Sequence, residues 1–155
     1  ELGHGTTLKL YLPRAARGEA SAPAPVEAPA AAGQGETVLV VEDDELVRQF
    51  ACAELRSLGY RVLEAEQGTS ALKLLEQQAD IALLFTDVVM PGGLSGRALA
   101  DAALALRPGL RVLYTSGYTE NAIVHHGRLD AGVRLLAKPY HRAELARAVR
   151  AALAG

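Results

Sequence analysis

Thr37-Val38-Leu39-Val40-Val41-Glu42-Asp43-Asp44 is an apolar run that ends in three acids. Five consecutive residues rich in Val and Leu read as a strand covered on both faces. Three similar runs follow. Ile81-Ala82-Leu83-Leu84-Phe85-Thr86 ends in Asp87, Arg111-Val112-Leu113-Tyr114-Thr115 ends in Ser116, and Val133-Arg134-Leu135-Leu136-Ala137 ends in Lys138-Pro139. Each strand-like segment thus finishes on a polar group. If the strands are parallel, these groups gather along the carboxyl edge of one sheet, where open α/β sheets bind ligands. Clustered carboxylates, a hydroxyl and an ammonium are what magnesium-dependent phosphoryl transfer requires.

Working outward, strand and helix patterns alternate from Thr37 onward. Strands are expected at about 37–41, 61–65, 81–86, 111–115 and 133–137, and helices at about 45–58, 69–78, 96–106, 119–127 and 141–153. In the first helix, Val47, Phe50, Ala51, Cys52, Leu55 and Leu58 share one broad face, the 3.6-residue period, and Gly59 is a natural stop. Five βα units predict an α/β fold, a doubly wound five-stranded parallel sheet with five helices.

The rest of the chain differs. Residues 15–36 hold nine Ala and three Pro with few large apolar groups. Such a segment cannot bury enough surface to offset its ordering entropy, so it is read as a flexible linker, spanning roughly 25–30 Å as a coil. Residues 1–14 form a separate fragment with one strand-like run through Thr7, Leu8, Leu10 and Leu12. The missing initiator Met and signal peptide lead to the expectation that the chain is cut from something longer.

Composition narrows the function. Half the residues are apolar and the net charge is −2, so no global basic field attracts nucleic acid. A DNA-binding role is not expected, since no helix-turn-helix or basic patch accompanies the domain. The single Cys52 excludes an intramolecular disulfide framework and fits a cytoplasmic setting. No apolar run approaches the length needed to span a membrane, so no membrane contact is expected from this chain, although a parent protein could be anchored.

Asp87 is the pivot of the candidate site. It precedes Val88-Val89-Met90-Pro91-Gly92-Gly93, a loop kept irregular by Pro and Gly, and a carboxylate there can act as a nucleophile that forms an acyl phosphate. Alone, it would more often be a plain loop-entry aspartate. Adjacent Glu42 and Asp43 repel one another, a cost that points to a cation. Mg²⁺ prefers one or two carboxylates with waters and phosphate oxygens; Asp43 and Asp87 could ligate it directly, the backbone carbonyl near Val89 could be a third oxygen, and Glu42 could act through water. Asp44 has a competing task as helix cap. Lys138 is either a solvated strand-end lysine or a point charge paired with Asp87 and then with a phosphoryl oxygen. Ser116 could donate to the same group, with Thr115 as its bland competitor. His125-His126 is not expected to be a metal pair, because adjacent residues on the helix expected there would point apart.

Together, Val40-Val41-Glu42-Asp43-Asp44, Thr86-Asp87-Val88-Val89-Met90-Pro91, Thr115-Ser116-Gly117-Tyr118 and Lys138-Pro139-Tyr140 make residues 37–155 resemble a response-regulator receiver domain. The resemblance implies Mg²⁺-dependent transfer from a phosphohistidine to Asp87, metal binding by Glu42, Asp43 and Asp87, and phosphoryl contacts from Ser116 and Lys138. Small donors such as acetyl phosphate would also serve. Three departures stand out. Glu42 replaces the commoner Asp, the loop after Met90-Pro91 is one residue longer, and Leu135 occupies the switch position usually held by Tyr or Phe. Gly3-His4-Gly5-Thr6-Thr7-Leu8-Lys9-Leu10-Tyr11-Leu12-Pro13 is similar to the end of a histidine-kinase ATP-binding domain, which implies a hybrid sensor kinase as parent. Lacking the kinase core, this chain is expected to catalyse only phosphorylation and dephosphorylation of its own aspartate. Its expected partner is a histidine kinase or a histidine phosphotransfer protein, with docking at the site edge and Leu46, Val47 and Phe50. The 119–127 helix and the last helix could also support a weak homodimer. The rival reading is a receiver-fold binding module that regulates a kinase by contacts with little phosphorylation. A haloacid-dehalogenase-type phosphatase is disfavoured because Val89 stands where that family needs a second acid.

Overall fold

The computed structural model describes Lys9, residues 33–91, 93–117 and 134–155, and the backbone of Val124–His125 and Arg128–Leu129. The proposed kinase remnant at 1–14 therefore lies, apart from Lys9, outside the described residues, as does most of the linker.

Five parallel strands, β1 (Thr37–Val41), β2 (Arg61–Ala65), β3 (Ile81–Asp87), β4 (Arg111–Ser116) and β5 (Leu135–Ala137), form one sheet in the order β2-β1-β3-β4-β5. Among the described residues, four helices connect or follow them: α1 (Glu45–Ser57), α2 (Gly68–Gln77), α3 (Gly96–Leu106) and α4 (Arg142–Ala154). The sheet is doubly wound, as the alternation predicts. Successive residues of β1 point to opposite faces, and both faces are covered. Val38 and Val40 pack with Cys52, Leu55, Leu145 and Val149 of α1 and α4. Leu39 and Val41 pack with Ala71, Leu75, Leu99 and Ala103 of α2 and α3. These four of the five β1 residues are almost wholly inaccessible, which is why the run carries no polar alternation.

Helix boundaries follow local chemistry. Asp44 caps α1 by accepting from the backbone N–H groups of Leu46 and Val47 at 2.9 and 3.0 Å, so the capping role weighed for it is real. The helix ends before Gly59, whose φ of +91° lies in the left-handed region that a side chain disfavours. Ser95 caps α3 through Ala98 N–H, and Glu144 closes the first turn of α4 by accepting from His141 N–H at 2.8 Å.

Two expectations change. The helix expected at 119–127 lies mostly outside the described residues, and the described pieces, Val124–His125 and Arg128–Leu129, pair as antiparallel strands. The dimer face built on that helix has no support from them. At the other end, Gly33–Glu36 behave as part of the domain rather than as linker. Gly33 N–H donates to Leu58 carbonyl, Arg61 N–H donates to Glu36 carbonyl, and Glu36 pairs with Arg150 at 2.7 Å.

Candidate functional site: an acidic pocket at the carboxyl edge

Strand register decides which residues meet. Val41 lies opposite Thr86, so the next residues out, Glu42 and Asp87, emerge side by side at the β1/β3 boundary. Here the chain order reverses across the sheet, the usual ligand crevice of such folds. Asp87 lies opposite Thr115, and Ser116 opposite Ala137, which sets Lys138 at the same edge. Neighbouring strands stand about 4.8 Å apart, so Lys138 must reach across β4. Its four-carbon stem does so. Lys138 Nζ donates to Asp87 Oδ2 at 2.7 Å and to Glu42 Oε2 at 2.6 Å.

The other Asp87 oxygen, Oδ1, accepts from Val89 N–H at 3.2 Å. The carboxylate is thus held from two sides, on a side chain only 13% exposed. The backbone beneath it is fixed by a close approach. A Cβ on Gly96 would sit 1.8 Å from the Asp87 carbonyl oxygen, so the α3 N-terminus can lie against β3 only because position 96 lacks a side chain.

Glu42, Asp43 and Asp87 each offer a carboxylate oxygen, and these lie within 4.8 Å of one another. Three carboxylates face one ammonium, an excess of two negative charges. Burial pushes the Glu42 carboxyl above its usual range; Lys138 opposes that shift, while Asp87 and Asp43 reinforce it. Burial alone would lower the Lys138 ammonium, but its bonds to Asp87 and Glu42 outweigh this and hold it above its ordinary value. The donor set of oxygens and the unbalanced charge of two fit a hard divalent cation, so the pocket could hold a metal.

Most residues singled out in the sequence converge here. Val89 is 58% exposed at the rim, with its N–H engaged by Asp87. Ser116 ends β4, and its carbonyl accepts from Lys138 N–H at 2.8 Å. Thr115 points to the opposite face of the sheet, the face of Leu113, and its buried Oγ1 has no hydrogen-bond partner among the described residues. Leu135 packs against the α2/α3 side of the core, level with buried Tyr114 on β4. Beside the pocket a groove of about 600 Å³ is lined by Leu46, Val47, Phe50, Gly117, Lys138, Pro139 and Tyr140. Leu46 and Phe50 are 76% and 48% exposed. Tyr140 braces the groove floor between Phe50 and Phe85, with ring centroids 6.2 and 6.3 Å away.

Sequence reasoning missed Arg48. Its Nη1, on α1, donates to the carbonyls of Glu42 at 2.7 Å and Asp43 at 3.4 Å. Only its position one turn after the acidic cluster could have signalled this.

A doubly wound parallel sheet with an acidic, lysine-bridged pocket at its β1/β3 edge defines a class of α/β signalling domain. Residues 38–150 match the response regulator receiver domain model, and the chain belongs to that family, within two-component signalling. It is 34% identical over 158 residues to the sensor kinase CckA of Brucella abortus, an alignment that covers 97% of this chain and 17% of the kinase. It is 32% identical to the response regulator receiver protein CpdR of the same organism, covering 70% of this chain and 88% of CpdR. The crystal structure of the receiver domain of hybrid histidine kinase CckA superimposes with a TM-score of 0.63 at 36% identity, over 76% of this chain and 98% of that one. Among the described residues no helix is long and apolar enough to cross a membrane.

Proposed function

We propose that this chain accepts a phosphoryl group from a phosphohistidine onto Asp87, in a Mg²⁺-dependent reaction, and relays it or regulates an attached kinase. The observation that carries the reading is the bridging of Asp87 and Glu42 by Lys138 inside a three-carboxylate pocket. A carboxylate oxygen of Asp87 attacks phosphorus, the phosphorus–nitrogen bond of the donor imidazole breaks, and the departing nitrogen keeps the electron pair and is reprotonated. The product is an acyl phosphate, later hydrolysed by water or passed to another histidine. Such transfers need positioning and charge neutralisation more than covalent assistance. Lys138 supplies one positive charge, oriented by its second bond to Glu42. Ser116 donates its hydroxyl to the phosphoryl group. Glu42, Asp43, Asp87 and the Val89 carbonyl are the proposed metal contacts, and Mg²⁺ when bound neutralises further charge on the phosphoryl oxygens.

The groove floored by Tyr140 and rimmed by Leu46 and Phe50 is the proposed docking face for a histidine kinase or histidine phosphotransfer protein. The alignment across 97% of the chain with a sensor kinase supports reading residues 1–14 as the end of a kinase ATP-binding domain joined by a linker to the receiver, with a hybrid kinase as parent; the chain itself acts in the cytoplasm, whether or not that parent is membrane-anchored. Leu135 in place of an aromatic favours one alternative, a contact-only module.

Incubation with acetyl phosphate and Mg²⁺ followed by intact mass separates the two. One added phosphate, lost in Asp87→Asn and in EDTA, supports the phosphoacceptor. No addition from acetyl phosphate or from a phosphohistidine protein, with partner regulation intact in Asp87→Asn, supports the contact module.

A further inference from the structure

Arg48 stands in the first turn of α1, four residues past the cap Asp44. Helix N-termini carry a partial positive charge and disfavour cations, so helix stability does not account for an arginine here. Its side chain instead folds back over the helix start, and is 15% exposed. Nη1 donates to the Glu42 carbonyl at 2.7 Å and to the Asp43 carbonyl at 3.4 Å, while Nε lies 3.9 Å from Glu64 Oε2 on β2. The guanidinium therefore grips, from the β2 side, the backbone of the two residues whose side chains reach toward Asp87.

We propose that Arg48 is a positioning residue for the acidic pocket: by fixing the Glu42 and Asp43 carbonyls, it sets the direction in which both carboxylates leave the chain and thereby the pocket's affinity for a divalent cation. This rests on the reading of the pocket as a Mg²⁺ site. Arg48 does not line the docking groove; its hydrogen bonds go to the Glu42 and Asp43 carbonyls, with Glu64 only a looser ion-pair partner at 3.9 Å, so its effect on the pocket is transmitted through Glu42 and Asp43.

Charge and geometry predict opposite signs. If Arg48 acted only as a nearby positive charge, removing it would reduce repulsion of the cation and tighten binding. If it positions the acids, removing it loosens them and weakens binding, and loss of such outer partners costs about 10- to 100-fold in metal affinity. The test is calorimetry with magnesium chloride on the full chain, comparing wild type, Arg48→Met and Arg48→Lys. The expected result is binding at least about tenfold weaker in Arg48→Met, with partial recovery in Arg48→Lys, whose compact ammonium lacks the planar fork. In EDTA, hydrogen exchange at Asp43 and Asp44 should be faster in Arg48→Met. Should that variant not fold, weakened binding in folded Arg48→Lys, which keeps the charge, carries the same comparison. Equal or tighter Mg²⁺ binding by a folded Arg48→Met overturns the proposal alone. A wild type that binds no Mg²⁺ overturns the pocket reading and the proposal with it.

Discussion

Asp43→Asn should stabilise the metal-free protein. Asp43 is exposed, stands apart from the Lys138 bridge between Asp87 and Glu42, and lies within 4.8 Å of the carboxylate oxygens of both. Two unit charges at that distance repel by about 3 kcal/mol at an effective dielectric of 20 and about 1 kcal/mol in bulk water. Because Asp43 faces solvent, the lower figure applies, and two such pairs give about 1–2 kcal/mol of relief. For a domain of this size that is a rise of roughly 4–8 °C in melting temperature. The same substitution removes a proposed metal ligand, so added Mg²⁺, which stabilises the wild type by mass action, should leave the variant nearly unmoved. Thermal melts followed by circular dichroism, in EDTA and in millimolar Mg²⁺, read both effects. A variant less stable than wild type in EDTA would refute the charge argument. A variant stabilised by Mg²⁺ as much as wild type would refute the assignment of Asp43 to the metal.

Three further outcomes follow from the same geometry. The Glu42 carboxyl sits above its ordinary value in the fold, so ionisation there disfavours the native state. Metal-free Glu42→Gln is therefore expected to be more stable than wild type at pH 7, with the difference closing as the pH falls below the unfolded value near 4.5, as urea midpoints at pH 4 and 7 would report. Gly96→Ala would press a Cβ into the Asp87 carbonyl; it should cost about 1–3 kcal/mol as overpacking does and slow phosphorylation, measured by denaturant unfolding and intact mass. Leu46→Ser, on a side chain 76% exposed, should change stability by less than about 0.5 kcal/mol and leave the acetyl phosphate reaction intact, while slowing transfer from a phosphohistidine protein about tenfold if Leu46 anchors the docked partner.

The sheet was legible because burial on both faces leaves near-continuous apolar runs, and the residues ending them, Glu42, Asp87, Ser116 and Lys138, are aligned by the register itself. The α1 boundaries were legible through Asp44 and Gly59, whereas the Ser95 cap of α3 emerges only from the fold. Other features depend on contacts between distant segments. Arg48 has the pattern of a solvated helical arginine, and only the turn-back of α1 over the β1 end gives it two carbonyls. Gly96 follows other loop glycines, and nothing local distinguishes the one against which β3 packs. Gly33–Glu36 continue the composition of an Ala/Pro-rich linker, yet Arg150, more than a hundred residues away, holds Glu36. The 119–127 stretch carries β-branched Ile123 and Val124, which weaken a helical reading, and its described residues pair as strands.

The most direct test of the central claim is borohydride trapping after phosphorylation. The chain is treated with acetyl phosphate and Mg²⁺, reduced, digested and mapped by peptide mass spectrometry. An acyl phosphate at Asp87 is reduced to homoserine, so conversion at position 87 alone, absent in EDTA, is the predicted result. Reduction at Asp43, Asp44 or elsewhere, with position 87 unchanged, would contradict the account.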